Sequence, residues 1–485
     1  MVAEQLEAAF HPRSIAVVGA SGEPLSFGHS FLQHLVDYGY RGRIYPVTPK
    51  WPELMGHKAY PALKDIPATV DYVICCLPAS KVIDLLRQCP EKGVRVVHLF
   101  TGRFSETGRQ EAAHLEEDIL RLATELGVRL IGPNCMGIYN PGEGIAFGHD
   151  FPTEPGGVGM FFQSGGSCSE FIYHASLRGI RFSKVVSYGN ALDIDEADIL
   201  EYLSEDSETD VIAGYIEGIR DGRKFVRSLR RTTPKKPVIL LKAGRGSAGA
   251  KSAASHTASM AGSFAIWESA TRQAGAVQAR SMADMLDLAV SFCCLPPMRS
   301  TRVGILGGGG GQSVLSADEW DVAGFDVVPL PDEVEEVIRQ ALPELWWGWI
   351  KNPVDQSLLP VEAIGSDLSA EILRRMARSD NLDLVVANTA VGGPFSKSHL
   401  AVYMQKLTED IIKAGKTGKN PVVVVLDTGP LSPNEFDDER WRGLSEARTK
   451  LIAAGIPVYA SAGRAARSIH RLLKYHRWKE ALRHS

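Results

Sequence analysis

No apolar run in this chain reaches the ~18 residues of a membrane span, and the opening stretch MVAEQLEAAFHPRS has neither a basic start nor an apolar h-region. A cytoplasmic location is expected. Excess charge is also missing. The 53 Lys and Arg against 57 Asp and Glu leave a formal net charge of -4, with no broad positive field to meet nucleic-acid phosphates. The seven cysteines (75, 76, 89, 135, 168, 293, 294) include no CxxC and no Cys/His spacing suited to zinc, so they predict small buried residues rather than a metal site. Two phosphate motifs are absent as well. The pattern G-x-G-x-x-G fails at the first glycine turn, where Gly19 and Gly22 are followed by Glu23 and Pro24, and GGGGGQS at 307–313 has no Walker lysine.

What is present is a length of 485 residues with a 44% hydrophobic share, enough for about three domains of roughly 150 residues. Short apolar β-rich runs alternate with helical patterns along nearly the whole chain, which predicts parallel, doubly wound sheets covered on both faces. A Pro/Gly-rich stretch near 141–157 and the run LPPMRSTR divide the runs into three units, 1–145, 146–297 and 298–485. In the first helix after the opening strand, Phe27, Phe31, Leu32, Leu35 and Val36 share one face. Each unit opens alike: AVVGASGE, GMFFQSGGS and GILGGGGGQS are an apolar strand, a turn of small residues, then a helix. In a doubly wound sheet that turn lies at the ligand-binding edge, where backbone N–H groups and a helix N-terminus can meet an anion.

The glycine-rich run KAGRGSAG leads into KSAASHTASM, which sets a single histidine, His256, among serines, alanines and a threonine. Small neighbours leave room for a bulky charged group. A neutral imidazole is a good nucleophile toward phosphorus near pH 7. A phosphohistidine needs a carboxylate to fix the ring through its other nitrogen, donors to hold the phosphoryl oxygens, and a small-residue segment if it travels. Glu217, at the end of VIAGYIEG, and the turn Ser164, Gly165, Gly166, Ser167 meet the first two needs, and the flanks of His256 the third. Against this stand two plainer readings: a loop histidine on the surface, and an ion pair of Glu217 with Arg220 or Lys242.

The run GRGSAGAKSAASHTASMAGS closely resembles the phosphohistidine segment of the ADP-forming acyl-CoA synthetases, relatives of the succinyl-CoA synthetase alpha subunit. The likeness extends over RSIAVVGASGEPLSFGHSFLQHL, GRIYPVTPK, CCLPAS, FTGRFSETG, LIGPNCMGIYNP, SYGNALDIDEADILEYL, KNPVDQS and GIPVYASAGRAARSIHRL, essentially the whole chain. It implies three Rossmann-like or flavodoxin-like α/β domains: a CoA-binding domain, one carrying the phosphohistidine, and a ligase-CoA domain. It implies that His256 is phosphorylated and Glu217 steadies it, with Ser164 to Ser167 holding phosphate. Gly19, Ala20, Ser21, Gly22, Lys50, Pro78 and Asn134 fall on motifs that line CoA. The reaction implied joins a carboxylic acid to CoA through an acyl phosphate. ATP or ADP with Mg2+ would be held by a separate ATP-grasp beta subunit in a hetero-oligomer such as α2β2, since three α/β units leave no room for that module here.

Two departures from the family pattern stand out. Trp346, Trp347 and Trp349 precede NPVD, as packing or as an aromatic wall for the acyl group, and Met136 follows Cys135 in GPNCMG, a change bearing on acyl-pocket shape. Cys135 reads as packing, because CoA brings its own thiol. Competing classes are a non-catalytic CoA or acyl-CoA sensor, against which His256 and Glu217 argue, and an NAD-linked oxidoreductase, which the first turn disfavours.

Overall fold

The computed structural model describes residues 2–249, 263–344, 350–356, 367–389, 397–426 and 439–484, so His256, Trp346, Trp347 and Trp349 lie outside the described residues. Two compact units emerge, Met1–Leu286 and Asp287–Ser485.

The first unit holds two large sheets and a two-stranded one, Glu53–Leu54 with His57–Lys58. Runs such as SIAVV (Ser14–Val18) and VGMFF (Val158–Phe162) are buried at every position, as strands covered on both faces must be. In the first sheet the strands lie in the order Arg43–Val47, Ser14–Val18, Tyr72–Cys75, Val96–Leu99, Arg129–Ile131, all parallel. In the second the order is Val277–Ala279, Val238–Lys242, Val211–Ile216, Val158–Phe162, Phe182–Ser187, with Gly137–Tyr139 added antiparallel at the edge. That edge strand comes from chain preceding the second sheet's first parallel strand. The parallel strands of both sheets therefore share one winding, with the order reversing beside the first strand, and ligands collect at the carboxyl ends of that reversal point.

The second unit repeats the winding with Asp326–Val327, Arg302–Leu306, Leu384–Thr389, Val422–Leu426 and Val458–Tyr459. Its helices pack Val334, Ile338, Ile372, Leu373 and Ile411 onto that sheet. The buried Ser291 hydroxyl lies 2.8 Å from the Tyr459 hydroxyl and 2.7 Å from that of Ser468, while Arg464 bonds Asp287 at 2.6 Å. The three parallel sheets expected from the alternation are thus in place.

Helix starts follow their caps. Ser26 accepts from the His29 amide to open Phe27–Asp37, and Asp195 accepts from Ala197 and Asp198 to open Glu196–Glu205. Gly28 sits in that first helix because an added Cβ would stand 2.1 Å from the Gly19 carbonyl oxygen. Any side chain there pushes the helix off the strand.

His98, on the strand Val96–Leu99 of the first sheet, is fully buried with Nε2 3.0 Å from the Cys135 carbonyl, and burial lowers its pKa to about 4. The ring is neutral in the fold and takes a proton near pH 6.5 when unfolded. Between those values the unfolded chain binds more protons, so stability falls as pH drops from 6.5 toward 4, by about 3 kcal/mol for this group. Thermal unfolding across pH 7 to 4 is expected to show this loss, and His98→Gln, which keeps the donor without the titration, to flatten it.

Candidate active site

Residues 129–134 and 188–194 join the two large sheets of the first unit. The amides of Asn190, Leu192 and Ile194 donate to the carbonyls of Pro133, Gly132 and Leu130. Asp193 then accepts from Arg129 Nε through both oxygens, at 2.9 and 2.8 Å, and from the Leu130 amide at 2.8 Å. Gly189 is required at the crossing: it has φ +55°, and a Cβ there would stand 2.2 Å from the Pro133 oxygen. The pairing brings the carboxyl edges of both sheets to common ground.

Two cavities result. The outer one, about 700 Å³, is a cleft of the first sheet lined by Cys76, Leu77, Pro78, Phe100, Arg103 and Asn134 among others. The inner one, about 320 Å³, takes Phe100, Asn134 and Met136 from one side and Gln163, Ser164, Gly165 and Gly166 from the other. Phe100, Gly102 and Asn134 belong to both. The inner cavity thus abuts the start of the helix Gly165–Ser176, whose first-turn amides and dipole favour an anion. Ser164 caps that helix, accepting from the Ser167 amide at 3.3 Å.

Glu217 follows the neighbouring strand and is 8% exposed. Its backbone amide and that of Gly218 both donate to Gln163 Oε1, at 2.5 and 2.9 Å, which ties the Glu217 backbone to the cavity wall. Burial first, then the negative charge and hydrogen bond of Glu217, raise the pKa of Tyr215. Of the two cations weighed as ion-pair partners, Lys242 directs its ammonium to the backbone carbonyls of Glu217 and Ala243, both at 2.6 Å, and Arg220 reaches Glu116 at 3.5 Å. Nothing local in GMFFQSGGS signals this role for Gln163, because its partners follow a strand more than fifty residues later.

At the first turn, Gly19 has φ +89° and abuts the Cys76 carbonyl, while the Gly19 and Ala20 amides donate to the Val47 carbonyl at 3.0 and 3.2 Å. Ser21 Oγ accepts from the Glu23 amide at 3.0 Å, and Gly22 lies against the Trp51 indole. Lys50 pairs with Glu23 at 3.2 Å and rests over Trp51 at 4.4 Å, so the acidic residue that disfavoured a dinucleotide here carries its own cation. Pro78 and Asn134 line the outer cleft directly. Lys50 and Gly22 stand instead beside Trp51. Cys135 is buried, donates toward the Leu99 carbonyl, and has its thiol pKa pushed up by burial, which suits packing rather than nucleophilic attack. Met136 lines the inner cavity beside Gly165. His256 lies outside the described residues.

Comparison with known proteins matches residues 13–141 to the family described as CoA binding domain and residues 155–292 to the Succinyl-CoA ligase like flavodoxin domain. The alpha subunit of acetate–CoA ligase [ADP-forming] II from Pyrococcus furiosus is 36% identical over 93% of each chain. Acetate–CoA ligase [ADP-forming] I from Archaeoglobus fulgidus is 33% identical over 97% of this chain and 64% of its own. The solved acetyl-coenzyme A synthetase 1 of Candidatus Korarchaeum cryptofilum, in complex with phosphate and ADP, superposes with a TM-score of 0.83 at 31% identity, covering 99% of this chain and 98% of that one. Fold and relatives together define an acid–thiol ligase. The chain belongs to the ADP-forming acyl-CoA synthetases, as an alpha-type subunit.

Replacing Gln163 by Leu strips two buried amides of their acceptor, at about 1–3 kcal/mol for each. Chemical denaturation is expected to show that loss, and Gln163→Glu, which restores an acceptor oxygen, to recover part of it.

Proposed function

We propose that the outer cleft takes CoA, that the inner cavity takes phosphate and the acyl group, and that His256 carries the phosphoryl group onward. The observation that supports this most is the wall common to both cavities. A phosphate oxygen at the helix start attacks the thioester carbon of an acyl-CoA, the carbon–sulfur bond breaks, and CoA leaves with its thiol. A ring nitrogen of His256 then attacks phosphorus, the bond from phosphorus to the acyl oxygen breaks, and the carboxylate departs. ADP takes the phosphoryl group from the histidine to give ATP. The reverse sequence makes acyl-CoA from acid, CoA and ATP.

In this reading Ser164, Gly165, Gly166 and Ser167 hold the phosphate oxygens, and Glu217 fixes the His256 ring through its second nitrogen. Gly19, Ala20, Ser21, Gly22, Lys50, Pro78 and Asn134 line CoA. Among these, Lys50 exchanges Glu23 for a nucleotide phosphate, and Trp51 beside it offers a face for the base. Covalent relay splits one difficult exchange into easier ones.

Nucleotide and Mg2+ are proposed to sit on a separate ATP-grasp beta subunit in a hetero-oligomer. Relatives named as alpha subunits are matched over 93% and 98% of their lengths, whereas the Archaeoglobus relative, whose name specifies no subunit, is matched over 64%. A cytoplasmic setting is proposed as well. No described helix is long and apolar enough to cross a membrane.

Incubation with acyl-CoA and inorganic phosphate, followed by mass spectrometry of peptides, is expected to place one phosphoryl group on His256. His256→Ala removes the adduct, and Glu217→Gln slows its formation at least about tenfold. Labelling at another residue contradicts the assignment. The isolated chain is expected to show no turnover with ATP, acid and CoA, and full activity without a partner contradicts the two-subunit reading.

A further inference from the structure

Phe27 departs from the helix face on which the sequence places it. Phe31, Leu32 and Leu35 of that helix are buried, but Phe27 is 57% exposed. Its ring lies against Phe100, with centroids 4.4 Å apart. Phe31 meets the same Phe100 edge-on at 5.3 Å and is itself braced by His98 at 5.6 Å. Phe100 is thus held by two rings of one helix, and it is the one aromatic side chain shared by the outer and inner cavities among their described lining residues.

That location has a chemical meaning. The carbonyl carbon being exchanged is bonded to sulfur on one side of the shared wall and to a phosphate oxygen on the other. Whatever hangs from that carbon must lie against the wall. Met136 adds apolar surface on the inner side, and the described lining of the inner cavity includes no lysine, arginine or histidine to pair with a second carboxylate.

We propose that Phe100, braced by Phe27 and Phe31, is the specificity-determining wall that limits the length and bulk of an uncharged acyl group. The proposal rests on the cavity assignment of the preceding section. Aromatic packing makes the limit sharp, since a ring in contact with two others loses those contacts if it swings aside for a longer chain.

The test uses the chain with its nucleotide-binding partner and compares kcat/KM for acetate, hexanoate and phenylacetate in wild type, Phe100→Ala, Phe100→Leu and Phe27→Ala. The ratio of either larger acid to acetate is expected to rise at least about tenfold in Phe100→Ala, the scale on which apolar pockets discriminate by size, and less in the other two. Because Phe100 also lines the CoA cleft, a change in KM for CoA is common to all three acids and leaves this ratio unaffected. Should Phe100→Ala fail to fold, the two milder variants decide. An unchanged ratio in variants that keep the wild-type melting temperature overturns the proposal, as does an effect confined to KM for CoA. A wild-type pair that forms ADP with none of a broad panel of acids overturns the underlying functional reading, and the proposal with it.

Discussion

Three backbone hydrogen bonds hold the site together. Asn190, Leu192 and Ile194 donate to the chain just after and along the last strand of the first sheet, so a loop of the second sheet extends the first. Each sheet alone has a ligand-binding edge at its reversal point, but an edge by itself binds one thing. Pairing the edges sets two α/β clefts against a common wall of Phe100, Gly102 and Asn134, the outer one proposed for CoA and the inner one for phosphate. The Arg129–Asp193 contact, with Asp193 also holding the Leu130 amide, pins the register, and Gly189 is the only residue type that fits the crossing.

The remaining features serve that junction. Ser164 fixes the start of its helix at the inner cavity, its Oγ accepting from the Ser167 amide. Gln163 stands beside it and receives two amides from the neighbouring strand's end, so the position of the Glu217 backbone is coupled to the cavity wall. A chain that must hand a phosphoryl group between sites needs such fixed points at one end of the route, because covalent relay succeeds only when each partner is oriented before the bond is exchanged.

Much of this was legible in the residues and some was not. Strand-to-turn-to-helix openings such as GMFFQSGGS reveal themselves because a buried parallel strand is a continuous apolar run and the turn after it needs small residues. Glu217 could be singled out because a carboxylate at the end of a buried strand is costly and calls for a purpose. The junction was invisible. Arg129 and Asp193 are 64 positions apart, and nothing in either neighbourhood signals the other. Gly137–Tyr139 reads as part of the first unit yet closes the edge of the second sheet, since an antiparallel partner leaves no periodic trace. Phe27 shares a helical face with core residues but sits on the first turn, where the helix emerges beside the cleft rather than over the sheet.

The central claim is that the two cavities perform the thioester-to-phosphate exchange before His256 takes part. A His256→Ala variant supplied with acyl-CoA, inorganic phosphate and hydroxylamine tests this directly, because hydroxylamine traps acyl phosphate as it forms. Phosphate-dependent release of free CoA with matching trapped product is expected. Absence of both, in a folded variant that still binds CoA, would contradict it.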